Sequence, residues 1–101
     1  MTRQKKSKSY QEELIKGLRD PEEAVAYLNS ALDENELDLF LMALRNVAEA
    51  KGMSKVARET HLNRENLYRM LSSNGNPQLS SLTTLLDALG FQLVIDFKKA
   101  A

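Results

Sequence analysis

Positions 63 to 69 are crowded with polar residues, among them Asn63, Arg64, Glu65, Tyr68 and Arg69. Between them they offer two guanidinium forks, a carboxamide, a carboxylate and a phenol, the groups that hydrogen-bond to base edges in a DNA major groove. Arg64 or Arg69 suits bidentate contact with guanine, and Glu65 can accept from the cytosine amino group. Asn66, in the same run, suits adenine or the sugar–phosphate backbone. Phosphate contacts usually arise at helix ends and loops, where Ser54, Lys55, Asn66 and Asn74 stand; Lys51 and Arg58 are weaker candidates. For any single arginine, a solvated surface charge is as good a reading as a base contact.

The same inventory argues against an enzyme. The chain has no cysteine, one histidine and no glycine-rich phosphate loop, and its scattered serines lack a plausible base. A lone imidazole without cysteines makes a poor metal site, so no metal, cofactor or catalytic residue is assigned. Absent cysteines fit a reducing cytoplasm. The basic opening MTRQKKSKSY leads into no apolar run, unlike a secretory signal, and nothing approaches the length of a membrane span. A cytoplasmic protein is expected.

Those polar groups need a rigid element to present them. The stretch SKVARETHLNRENLYRMLSSNGN (54–76) reads as two short helices joined by a tight turn. Val56 and Ala57 face inward from the first, with Ala57 small where two helices must cross closely. Leu67, Met70 and Leu71 anchor the second, and Leu62 plugs the turn. A buried stripe beneath outward polar side chains is the pattern of a helix-turn-helix. The turn position usually held by glycine is His61, and histidine tolerates the left-handed conformation better than most residues.

Around this unit the chain reads as mainly α. Residues 1–9 form a flexible basic arm, and an amphipathic helix covers 10–18. Asp20-Pro21-Glu22-Glu23 starts another, with Asp20 as cap, Pro21 in the first turn and Glu23 closing a capping box; Ala24, Leu28, Ala31 and Leu32 share one face. A third runs from about Asn35 to Ala50 and ends at Gly52. Ser54 and Asn63 are expected to cap the next two helices. Asn74-Gly75-Asn76-Pro77 is a loop, and Ser80 starts a last helix closed by Gly90. In FQLVIDF, Phe91, Leu93, Ile95 and Phe97 alternate with Gln92, Val94 and Asp96, which is strand periodicity. A single strand must pair with another segment or with a second copy of the chain. The division is therefore a basic arm (1–9), acidic N-terminal helices (10–35), a helix-turn-helix domain (36–90), and a C-terminal strand and tail (91–101).

Net charge is zero, yet its signs are segregated. Residues 1–9 carry +4 and residues 43–75 carry +3. Residues 10–42 carry −7, from Glu12, Glu13, Asp20, Glu22, Glu23, Asp33, Glu34, Glu36 and Asp38 against Lys16 and Arg19. Two faces of opposite sign suit two different partners.

The run LFLMALRNVAEAKGMSKVARETHLNRENLYRMLSSNGNPQLSSLTTLLDALGFQLVI resembles the antidote (antitoxin) proteins of bacterial toxin–antitoxin addiction modules, and DPEEAVAYLNSALDE resembles their N-terminal helix. The similarity covers roughly residues 18–97. It is most distinctive in ALRNVAEAKGMSKVARET, ENLYRML and NGNPQLSSL, and departs from the pattern at His61. The resemblance implies a lambda-repressor-like helix-turn-helix bundle with extra N-terminal helices and a short C-terminal β-strand. It further implies an antitoxin that neutralises a RelE/HigB-like ribonuclease toxin and represses the operon they share. Partners would be the operator DNA and the toxin. One recognition helix touches few base pairs, so a homodimer is expected, and the strand Phe91–Phe97 either joins its two copies or covers the core of its own chain. The alternatives are a stand-alone transcriptional regulator of the same fold without a toxin, and a helical interaction module that never touches DNA.

Overall fold

Six helices make up the secondary structure of the computed structural model, which describes the backbone of residues 2–99 and the side chains of residues 9–99. They are α1 (Thr2–Gly17), α2 (Pro21–Asp33), α3 (Leu37–Lys51), α4 (Met53–Thr60), α5 (Arg64–Met70) and α6 (Leu79–Ala88). The mainly α expectation holds.

α3 is the hub, in contact with α1, α2 and α4, while α4 also meets α5 and α6. Leu41 and Leu44 of α3, Val56 of α4, Leu67 of α5, Leu71 just beyond it and Leu85 of α6 are fully buried. Burying such a leucine or valine stabilises by about 1.5–3 kcal/mol each, so this shared knot holds the short helices α4 and α5 in place. Neither would persist alone, since isolated helices shorter than ~12 residues are marginal in water.

The turns follow local chemistry. The Asp20 carboxylate accepts from the Glu22 amide at 3.3 Å with Pro21 in the first turn, as expected. The capping box does not close: the Asp20 amide donates to the Gly17 carbonyl instead. Asn35 is left-handed (φ 57°) and lies within the α2–α3 connection; α3 opens only at Leu37, with Glu36 before it. Gly52, with φ 110°, stands between α3 and α4. α4 begins at Met53, which puts Ser54 inside the first turn without a capping bond, contrary to expectation. α6 likewise begins one residue before Ser80, and Gly90 closes it with φ 89°.

Two segments at the ends differ from the sequence reading. α1 starts at Thr2, so the backbone of residues 2–9 continues the helix expected only from Tyr10. No glycine or proline interrupts this stretch, and Gln, Lys and Arg are good helix formers. At the other end the expected strand is absent, and no strand exists among the described residues. The segment 91–97 has the right alternation but no neighbouring strand among the described residues with which to form a ladder.

A buried polar relay ties the N-terminal helices down. Asn46 of α3, 8% exposed, donates to the Tyr27 hydroxyl of α2 at 2.9 Å and accepts from the Gln11 carboxamide of α1 at 3.1 Å. The carboxamide thus uses both ends, which offsets the cost of burying it.

Candidate nucleic-acid interface

Between α4 and α5, His61 adopts the left-handed conformation, φ 62° and ψ 22°. The sequence pointed to this residue for that role. Thr60, buried at the end of α4, shapes the same corner: its hydroxyl donates to the Val56 carbonyl at 2.8 Å and accepts from the Leu62 amide at 3.3 Å. Leu62 packs partly against the core. Three residues therefore connect α4 to α5, and the start of α5 is exposed.

Asn63 caps α5 as expected, its carboxamide oxygen accepting from the Asn66 amide at 2.7 Å. That bond uses one lone pair of the oxygen and fixes the side chain, leaving the Asn63 NH₂ with no partner among the described residues. Arg64, Glu65, Asn66 and Arg69 are all exposed, while Leu67 beneath them is fully buried. Arg69 donates to the Asn66 carboxamide oxygen at 3.3 Å, which restrains its guanidinium along the helix. Arg64 has no such tether among the described residues and stands in the first turn of α5.

Tyr68 departs from the outward set. It is half-buried against the core, and the Arg45 guanidinium of α3 lies 4.9 Å from its ring centroid. Arg45 also pairs with Glu49 at 3.2 Å. The ring is thus held under a cation by an attraction to its π face, and Arg45 joins the charged edge beside α5. The i,i+4 pairing of Arg45 with Glu49 was visible in the sequence; the stack across helices was not.

Ser54, Lys55 and Arg58 are exposed along α4, and Asn74 is exposed in the loop after α5. Lys51 is committed elsewhere: it pairs with Glu59 at 3.1 Å and donates to the Ala88 carbonyl at the end of α6. This cation at a helix C-terminus complements the helix dipole, a role that sequence spacing did not reveal. Beside α5 the loop folds into a cleft of mixed character, with Leu62, Met70 and Pro77 among its walls beside Asn66, Arg69 and Asn74. Only glycine fits at position 75, because an added Cβ would lie 2.2 Å from the Met70 carbonyl oxygen. The loop is thereby pressed against the end of α5.

The opposite charge sits elsewhere. All nine carboxylates of residues 10–42 are exposed, and neither ion pair found among the described residues uses one. Leu37, Leu39 and Met42 are exposed among the acids that open α3.

Residues 9–97 match the model of a family described as probable addiction module antidote protein. The chain belongs to that family. A protein of Haemophilus influenzae, described as uncharacterized, is 37% identical over 84 residues, covering 83% of this chain and 87% of its own length. No solved structure matches. Antidote membership brings a toxin partner in general terms and points to a non-enzymatic regulator. No described helix of this antidote is long and apolar enough to cross a membrane.

Proposed function

We propose that this antidote is a DNA-binding antitoxin of a type II toxin–antitoxin module. α5 enters the major groove of its own operator and represses the shared operon, and the acidic N-terminal helices engage a RelE/HigB-like ribonuclease toxin. The observation that carries the DNA reading is the presentation of α5: Arg64, Glu65 and Arg69 stand in solvent while Leu67 and Leu71 bury its underside. In this reading Asn63, Arg64, Glu65 and Arg69 address bases, with Tyr68 reaching in from the helix flank. Ser54, Lys55, Asn66 and Asn74 address phosphates from α4 and the loop.

The toxin reading draws on family membership and on the exposed acidic surface. A ribonuclease that grips RNA is cationic, so clustered carboxylates would steer its approach. The exposed Leu37, Leu39 and Met42 supply apolar area within the same surface. One such helix touches few base pairs, so the operator-bound form is a homodimer with recognition helices about 34 Å apart, joined through the 91–97 segment.

Titrating the antidote against DNA from upstream of its gene, at several salt concentrations, tests the DNA reading. Affinity falls steeply and log-linearly as salt rises. Arg64→Ala costs about 1–3 kcal/mol and relaxes preference at one base pair. Uniform weakening across all sequences reassigns Arg64 to phosphate. Binding with no preference for the upstream sequence overturns the operator reading. Co-purification with the product of an adjacent gene encoding a basic RelE-like protein separates antitoxin from stand-alone regulator.

A further inference from the structure

The segment Phe91-Gln92-Leu93-Val94-Ile95-Asp96-Phe97 reads nearly the same in either direction: Phe91 matches Phe97, Gln92 matches Asp96, Leu93 matches Ile95, and Val94 is the centre. In an antiparallel pair, facing residues run in opposite order along the two strands. Two copies crossing at Val94 therefore set every residue against its chemical counterpart. We infer that two copies of this chain join by an antiparallel β-ribbon of their 91–97 segments, with the two-fold axis passing at Val94. This rests on the homodimer reading above and fixes its register and its faces.

The segment is prepared for such a partner. Ile95 is 98% exposed, Phe97 95%, Val94 74% and Leu93 47%, a run of large apolar side chains in water. Isolated apolar residues at a surface are ordinary, but a contiguous run is the mark of an interaction site. The amides of Gln92, Leu93, Val94 and Ile95 donate to no acceptor among the described residues; the Phe91 amide is already used by the Leu86 carbonyl at 2.8 Å.

The Val94-centred register also fits the body of the protein. Phe91 packs against the core, and Phe91, Gln92, Leu93 and Val94 together line a groove shared with Val25, Leu28 and Leu32 of α2. Residues directly opposite each other share a face of the ribbon. Phe97 of the second copy then lies against Phe91, and Ile95 of the second copy against Leu93, at the mouth of that groove. The other face pairs the Gln92 carboxamide with the Asp96 carboxylate and Val94 with itself. A slip of one residue would set Leu93 against Asp96 and Phe97 against Gln92, exchanging the two faces. A shift of two leaves both aromatic pairs unmade.

Position 94 is the only one of the seven that meets itself, which makes the register testable. The chain has no cysteine, so single-cysteine variants carry no background. Under mild oxidation Val94→Cys should form a covalent dimer about tenfold faster than Leu93→Cys or Ile95→Cys alone, whose copies lie on a diagonal too long for a disulfide. An equimolar mixture of Leu93→Cys and Ile95→Cys should link to about half the yield of Val94→Cys, because half of randomly mixed dimers carry the facing pair, and well above either variant alone. Because a thiol pair is sensitive to geometry, charge provides a second measure. Val94→Lys alone and Val94→Glu alone should each be monomeric by mass, and their mixture should recover a dimer. If the unsubstituted protein is dimeric and Val94→Lys remains so, the ribbon is overturned and the dimer reading stands. An unsubstituted protein that is monomeric by mass at operator-binding concentrations overturns both.

Discussion

His61 shows how far a single residue constrains the proposed reading head. With φ at 62° it occupies a conformation that costs an L-residue about 1–2 kcal/mol relative to right-handed backbone, less for histidine than for branched residues. Replacing it by valine, whose branched side chain fits this region poorly, should lower stability by at least about 1 kcal/mol, seen in a denaturant midpoint at unchanged slope. Replacing it by glycine should leave stability level or raise it. If both variants denature at the same point, the turn is not limiting. The neighbouring Asn63 has a double position: its carboxamide oxygen accepts the α5 capping bond, which fixes the side chain, while its NH₂ group makes no hydrogen bond among the described residues. Arg64 and Arg69 differ in a similar way. Arg69 is braced by Asn66 and Arg64 is not, so the two enter binding with unequal conformational freedom to lose.

At the scale of the element, α5 is short and owes its position to what lies under and beside it. Leu67 and Leu71 fix its underside, Arg45 covers Tyr68 on one flank, and the Gly75 loop closes on its end. Gly75→Ala would force the loop away from the Met70 carbonyl, because the backbone atom it meets cannot rotate aside. A loss of about 1–3 kcal/mol is expected from such overpacking, together with weakened operator binding when the loop and its Asn74 shift. Retained affinity in a destabilised Gly75→Ala protein would show that the loop supports folding and has no part in contact with DNA. Lys51 plays the corresponding part for α6. By pairing with Glu59 and reaching the Ala88 carbonyl it joins the end of α3 to α4 and α6, and this residue is therefore withdrawn from the phosphate contacts for which its charge alone recommended it.

Over the whole molecule, zero net charge conceals two surfaces. Among the described side chains the exposed acids are densest on α2 and the start of α3, while α4 and α5 each carry two exposed bases against one exposed acid; α1 is mixed, with Lys16 beside Glu12 and Glu13 and the basic stretch 3–8 within its span. The proposed division of partners follows from this: a cationic toxin on one side, a polyanion on the other. Glu34→Lys combined with Glu36→Lys should slow association with the toxin and flatten its salt dependence, while operator binding is unchanged or slightly improved. Stopped-flow mixing with the purified toxin reads the first effect. An unaltered association rate would remove this edge from the toxin-facing surface.

Where local chemistry suffices, the sequence alone was enough. The Asp20-Pro21 start, the left-handed His61, the Asn63 cap and the positive φ of Gly52 and Gly90 depend on a few adjacent atoms, and each could be read from its own neighbours. The apolar spacing likewise marked Val56, Leu67 and Leu71 as core, because helical periodicity is itself a local property. What the sequence could not supply was any relation between distant residues. The Asn46 relay spans 35 positions from Gln11, Lys51 reaches Ala88 across 37, and Arg45 covers Tyr68 from another helix. The C-terminal segment makes the same distinction from the other side: alternation gave it the pattern of a strand, but a strand exists only where a second backbone completes its hydrogen bonds, and none does so among the described residues.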